Sequence, residues 1–311
     1  MKTRILTLLL TTLLLGVSSC NQPVDTDIVV TMFPQYDIAK NIVGDKISVH
    51  SILPPGAEVH DFEASSRDMV TMEKARLVIY TSATIDTWMN ETALADGDTV
   101  VMDLSQYADI DHEETAFEGP LGIEDEHDHD EIHYWVDPLV VVHLTEAILE
   151  KIISIDPANA DLYEANAQTY INSIETVYSD FIDYLADGSY FESTLYYAGH
   201  NALGLFGSRH QLEIHALFED FKPDEDLSSA QLIAFTNAVK DTGSHHLFIE
   251  EMVLPKAATT IKAELAKSDY ELTLLELHGY HNRSAADAAA GLTYIDLYAR
   301  NIAHVKQALE G

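Results

Sequence analysis

Residues 156–189 read DPANADLYEANAQTYINSIETVYSDFIDYLADGS. Leu162, Ala165, Thr169, Ile171, Ile174, Tyr178, Phe181 and Leu185 recur there at three- and four-residue spacing, and Gly188 stands where a helix would stop. The pattern predicts one long helix from about residue 158 to residue 188. What lies on either side of it decides the fold.

Upstream, IVVTMF (28–33), ISVHSILP (47–54), RLVIYTS (76–82) and TVVMDLS (99–105) read as buried strands. Between them lie helix-like YDIAKNIV (36–43) and the serine-capped SSRDMVTMEKA (65–75). Asp137-Pro138 then caps a further helix whose Val141, Leu144, Ile148 and Ile152 form one apolar stripe. Downstream of the long helix the alternation resumes with STLYYAG (193–199), HLFIEE (246–251) and YELTLLEL (270–277), and the chain closes on a helix over 291–311. Strand–helix–strand order with short links predicts parallel sheets flanked by helices. The expectation is therefore α/β: an N-terminal lobe over 28–155, a linking helix over 156–188 and a C-terminal lobe over 189–311.

The 311 residues carry 52 Asp and Glu against 17 Lys and Arg, a formal charge of −35. Such a surface repels nucleic-acid phosphates and attracts cations, which excludes DNA and RNA as expected partners. The opening stretch MKTRILTLLLTTLLLGVSSC has two basic residues, a short apolar run and then small residues up to Cys20, the one cysteine of the chain. It reads as a secretory signal over 1–20 followed by a polar tether over 21–27. Val17-Ser18-Ser19-Cys20 resembles a lipobox, so Cys20 is the expected lipidation site, holding the chain to the outer face of a bacterial membrane, in the periplasm or at the cell surface.

Residues 109–131 interrupt the periodicity with an acidic segment containing IEDEHDHD (123–130). Alternating His and Asp makes His127 and His129 an auxiliary cation-contacting pair or a solvated charge run. Four other histidines stand where strands end or loops begin: His60, His133, His200 and His278. Open α/β sheets bind ligands outside the carboxyl ends of their strands. Two such histidines per lobe point to one metal site, and neutral imidazole suits zinc, with manganese second. Asp61 and Glu63 near His60, and Asp137 near His133, are candidates to orient the rings. His112 and the pair His245-His246 read as surface residues, while His143, His210, His215 and His304 read as ordinary helix positions.

Several of these segments resemble one family. PPGAEVHDFEASSRD (54–68), IHYWVDP (132–138), the start of the long helix (156–175), YYAGHNALGLFGSRHQLE (196–213) and the C-terminal helix are similar, in order, to segments of the ZnuA/TroA-like metal-binding lipoproteins of bacterial ABC importers. The resemblance implies two α/β lobes joined by a rigid helix, with the metal in the cleft. It carries His60, His133 and His200 over as ligands, plus a fourth from the loop holding His278, with Glu276, His281 or a water as rivals. It further implies an ABC permease and its ATPase as partners, a monomeric carrier of a divalent ion, and no catalysis. The departures are Val59 where the family has proline and ELHGYHN where it has an aspartate motif. The competing enzymatic reading is a zinc-dependent hydrolase. HDHDEIH (127–133) nearly matches a metallo-β-lactamase-like motif, but its last histidine falls one residue late and no buried strand precedes it. A lipid-anchored adhesin, the third class, would need no converging histidines.

Overall fold

The computed structural model describes residues 24–60, 62–89, 94, 97–108, 132–218 and 228–311. The signal and Cys20, Asp61, His112, and the acidic segment with His127 and His129 lie outside the described residues.

The first sheet consists of β1 (Ile28–Val30), β2 (Val49–Ser51), β3 (Leu77–Tyr80) and β4 (Val100–Asp103) in the order β2-β1-β3-β4. All its pairs are parallel, with Val30 level with Ser51 and with Ile79. Parallel neighbours require crossovers, and α1 (Phe33–Val43) and α2 (Ser66–Lys74) supply two of them. Ser65 caps α2 through a reciprocal bond with Asp68. The second sheet consists of β5 (Thr194–His200), β6 (Glu213–Phe218), β7 (His246–Ile249) and β8 (Thr273–Glu276), ordered β6-β5-β7-β8 and again wholly parallel. The sequence expectation of parallel sheets flanked by helices holds.

Between the sheets run α3 (Pro138–Ile155) and α4 (Ala160–Gly188), separated by a short 3-10 turn at Pro157–Asn159. The helices of the second lobe are α5 (Gly204–His210), α6 (Ser229–Asp241), α7 (Lys256–Ala266), α8 (Ala285–Ala290) and α9 (Tyr294–Glu310). The face of α4 that is buried differs from the one expected. Tyr163, Ala167 and Tyr170 are buried at its start, while Leu162 stays 40% exposed. The tyrosine hydroxyls explain the exchange. Tyr163 donates to Asp156 (2.6 Å) and Tyr170 to Asp37 (2.9 Å), so both rings bury without stranding a polar atom. The stop is Ser189, in the left-handed region at φ 54°, one residue after Gly188.

Two further expectations change. His215 sits on β6, a strand not expected from the sequence; it is a sheet edge of mostly half-exposed residues and so lacks a strong apolar signal. His246 is buried on β7, although its neighbour His245 is not. His210 is fully buried, donating from one ring nitrogen to the Phe206 carbonyl and meeting the Tyr298 hydroxyl with the other, both at 2.7 Å.

One hydrophobic cluster runs continuously from the inner face of the first sheet (Ile28, Val30, Ile79) through α3 and α4 (Leu144, Ile174, Phe181) to the second lobe (Tyr197, Phe206, Tyr298). The outer faces have separate clusters, built around Val29 and Val78 in one lobe and Val239 and Leu247 in the other. Polar bonds also cross between the lobes. The Trp135 indole donates to the Gly279 carbonyl (2.9 Å), the Asn282 amide to the Pro54 and Ala57 carbonyls (2.8 and 2.9 Å), and Arg209 to Asp137 (2.7 Å).

Candidate metal site

Each element delivers its histidine by a local rule. His60 lies in the loop leaving β2, just ahead of the capped α2. His133 precedes a single 3-10 turn, Tyr134–Val136, and its placement is set by Asp137, which accepts from the Leu139 and Val140 amides and starts α3. His200 is the last residue of β5. The loop after β8 makes a tight turn: the Tyr280 amide donates to His278 Nδ1 (2.8 Å) and Tyr280 takes φ 59°. That left-handed residue is held by its hydroxyl, which accepts from Asn301 (2.7 Å). The turn sends His278 backwards and returns His281 to the cleft.

His60, His133, His200 and His281 therefore converge, one ligand-capable atom from each lying within 4.8 Å of the others. Their ring centroids stand 5.0–6.4 Å apart in all six pairings. The Nε2 atoms of His133 and His200 are 3.3 Å apart. Two nitrogens bound tetrahedrally to zinc at about 2.0–2.1 Å would be separated by about 3.4 Å, so this pair already spans one edge of a zinc tetrahedron. An entering cation competes with protons for these nitrogens.

The fourth position is where sequence and structure part. His278, the expected candidate, is 1% exposed and lies behind the cluster, its amide and carbonyl both bonded to the Asn301 side chain (2.8 Å each). Glu276, a rival, pairs with Arg300 (2.9 Å). His281, the other rival, joins the four.

Carboxylates ring the cluster, but not those expected. Asp137 caps α3 and pairs with Arg209, and Glu63 is exposed. Instead Glu250 Oε1 lies 2.8 Å from His200 Nδ1, and Glu251 accepts from His281 Nδ1 (3.2 Å). The sequence offered them as HLFIEE, an acidic strand end whose position next to two histidine loops only the strand order reveals. Glu58 lies at the rim, with one oxygen accepting from the His60 amide (2.9 Å) and the other 3.9 Å from His60 Nε2.

Burial, aided by the neighbouring imidazoles, pushes the His133 proton affinity well below the ordinary histidine value. Burial also pulls His281 down, but its bond to Glu251 and the nearby Glu250 and Glu58 charges outweigh it and raise it. Burial favours the neutral form of Glu251, yet His278 and His281 together hold it well below the usual carboxylate range.

The sequence of residues 28–308 matches the family described as zinc-uptake complex component A, periplasmic. The chain is 27% identical over 287 residues to the high-affinity zinc uptake system protein ZnuA of Bacillus subtilis, covering 91% of this chain and 87% of that one. It is 24% identical over 292 residues to the zinc-binding lipoprotein AdcA of Streptococcus pneumoniae, of which it spans 55%. Among solved structures, the periplasmic zinc-binding protein TroA of Treponema pallidum superposes with a TM-score of 0.73 at 18% identity, covering 91% of this chain and 99% of that one. The Zn(II)-bound ZnuA-like domain of the pneumococcal AdcA gives 0.70 at 22%, covering 93% and 100%. Both likenesses concern the fold.

Proposed function

The chain belongs to the zinc-uptake complex component A family, and from that premise we propose that it captures Zn²⁺ with His60, His133, His200 and His281 and passes it to an ABC importer. The observation that carries the ligand assignment is the convergence of four buried imidazoles from loops of two different sheets, with one Nε2 pair at a tetrahedral spacing. Four nitrogens suit a borderline ion, whereas manganese would draw oxygen ligands, so zinc is the cargo.

The reading divides the chain into lobes over 28–155 and 189–311, with α4 as the link. Family-level kinship supports a transport role, with a membrane permease and ATPase as partners, and a location outside the cytoplasm. The lipid on Cys20 is part of the same proposal. No helix among the described residues is long and apolar enough to cross a membrane, and a lipid would supply the attachment. The role is carriage and not hydrolysis. A catalytic zinc keeps an open position beside three protein ligands, and here four imidazoles close on one point. Of the three histidines in the hydrolase-like HDHDEIH, His133 alone is within the described residues.

The test is metal analysis of protein purified without added metal, followed by competition titration of zinc against manganese. About one zinc per chain, displaced weakly by manganese, is expected. Tighter binding of manganese, or binding unaffected by His133→Ala and His200→Ala together, would defeat the proposal.

A further inference from the structure

β7 lies between β5 and β8 in the second sheet. Those two neighbours lead into His200 and into the loop bearing His281. The first two residues after β7 are Glu250 and Glu251, so one dipeptide at the central strand's exit reaches both histidine-bearing neighbours.

The contacts are specific. Glu250 Oε1 lies 2.8 Å from His200 Nδ1, and its other oxygen accepts from the His200 amide at 3.3 Å. Glu251 Oε1 lies 3.2 Å from His281 Nδ1 and 3.6 Å from His278 Nδ1, while Oε2 accepts from the Gly279 amide at 2.9 Å. Both glutamates are buried, at 8% and 4% exposure. A buried carboxylate is an acceptor, so the facing Nδ1 carries the proton and Nε2 keeps its lone pair. His281 Nε2 is buried and has no hydrogen-bond partner among the described residues. His200 Nε2 faces His133. Both lone pairs thus point at the same spot.

Gly279 completes the arrangement. A β-carbon there would sit 2.6 Å from His281 Cε1 and 2.8 Å from its Nδ1. No side chain fits unless the ring leaves Glu251.

The geometry points to Glu250 and Glu251 as a paired set of positioning residues. They fix His200 and His281 in the Nδ1–H tautomer with Nε2 aimed at the ion, and they set two negative charges behind four neutral ligands, matching the charge of one divalent cation. This inference rests on the four-imidazole reading above.

The test compares isosteric Glu250→Gln and Glu251→Gln, plus Gly279→Ala, with the unaltered full chain and with His281→Ala. Zinc affinity is read by chelator competition, ring tautomers by nitrogen-detected NMR of the zinc-loaded protein, and folding by melting of the metal-free form. Each glutamine variant should bind zinc about 10–100-fold more weakly. Glu251→Gln should also lose the uniform Nδ1–H signature at His281 while His200 keeps it, and Glu250→Gln the converse. Gly279→Ala should reproduce the Glu251→Gln affinity loss without altering any charge. If His281→Ala weakens zinc but both glutamine variants bind within twofold of wild type with unchanged tautomers, the site stands and the positioning role falls. A lower melting temperature with unchanged affinity likewise overturns it, since that is what purely structural glutamates would give. If His281→Ala itself leaves zinc affinity unchanged, the four-imidazole reading fails and this inference fails with it.

Discussion

The sharpest single discrimination is between His281 and His278, which stand three residues apart and are both buried. Replacing His281 with alanine removes one of four converging nitrogens. Protein zinc sites with complete ligand sets bind with about 10–16 kcal/mol in all, so an even share is about 3 kcal/mol, or about a hundredfold in affinity. Replacing His278 removes a ring that packs on Tyr280 and accepts the Tyr280 amide. That change leaves the four intact and instead opens a cavity, costing about 2–3 kcal/mol of folding stability. The assay is chelator competition on both variants, with melting of the metal-free proteins alongside. Tryptophan emission is a convenient readout, because the Trp135 ring lies 5.4 Å from His133 and 5.6 Å from His281. The expected pattern is crossed: His281→Ala loses zinc affinity and keeps its melting temperature, His278→Ala the reverse. A hundredfold loss of affinity in His278→Ala with His281→Ala within threefold of wild type would refute the tight-turn argument.

Zinc affinity should fall on acidification, starting above the ordinary histidine value of about 6.5, because Glu251 raises His281 against the pull of burial and a proton there competes with the ion; titrations at pH 8, 7 and 6 that coincide would contradict this. His210, lowered by burial to about 4, takes up its proton in the unfolded chain first, so its contribution is complete above pH 6.5 and drains away as the pH falls towards 4. Between pH 7 and pH 5 it should account for about 2 kcal/mol of lost stability, seen as a shallower pH slope in urea unfolding of His210→Gln than of wild type. Tyr170→Phe should cost about 1–3 kcal/mol at pH 7, since it strips a bond from buried Asp37, whose proton affinity burial has raised to about 6. The loss should shrink at pH 5, where Asp37 is protonated, and equal melting shifts at the two pH values would count against the assignment. Asn282→Ala frees the His60 loop at Pro54 and Ala57, and stopped-flow transfer to a chelator should show zinc leaving faster; an unchanged rate would mean that the loop holds itself.

The fold was largely legible because parallel strands buried on both faces write themselves as apolar runs, as in IVV and LVIY. β6 escaped because an edge strand such as EIHALF is only half buried. The early face of α4 was misassigned because Tyr163 and Tyr170 count as polar in a pattern yet bury once their hydroxyls find Asp156 and Asp37. At the site, His60 and His200 followed from strand ends and His133 from the helix cap after it. The fourth did not, since nothing in ELHGYHN announces that Tyr280, an ordinary residue, takes a left-handed conformation that swaps which histidine faces the cleft. Glu250 and Glu251 were equally hidden. Their role depends on β7 lying between β5 and β8, which is a fact of topology and not of any local motif.

The way the lobes are joined constrains how an ion leaves. Rigid-body opening would have to part Trp135 from Gly279, Asn282 from Pro54 and Ala57, and Arg209 from Asp137. At about 1 kcal/mol per neutral bond, and more for the ion pair, that is several kcal/mol before any apolar surface is exposed. The hydrophobic cluster adds to it, since it passes unbroken through α3 and α4 between the sheets. A local route disturbs much less. His281 is held by one carboxylate at 3.2 Å, at a turn with a non-glycine residue at positive φ. His200, by contrast, faces Glu250 with both its ring nitrogen and its backbone amide. Withdrawing the His281 ring thus gives up one carboxylate contact. A docking partner that turns the His281 ring away from the ion would open the site from that side and leave the cross-lobe bonds of Gly279 and Asn282 in place.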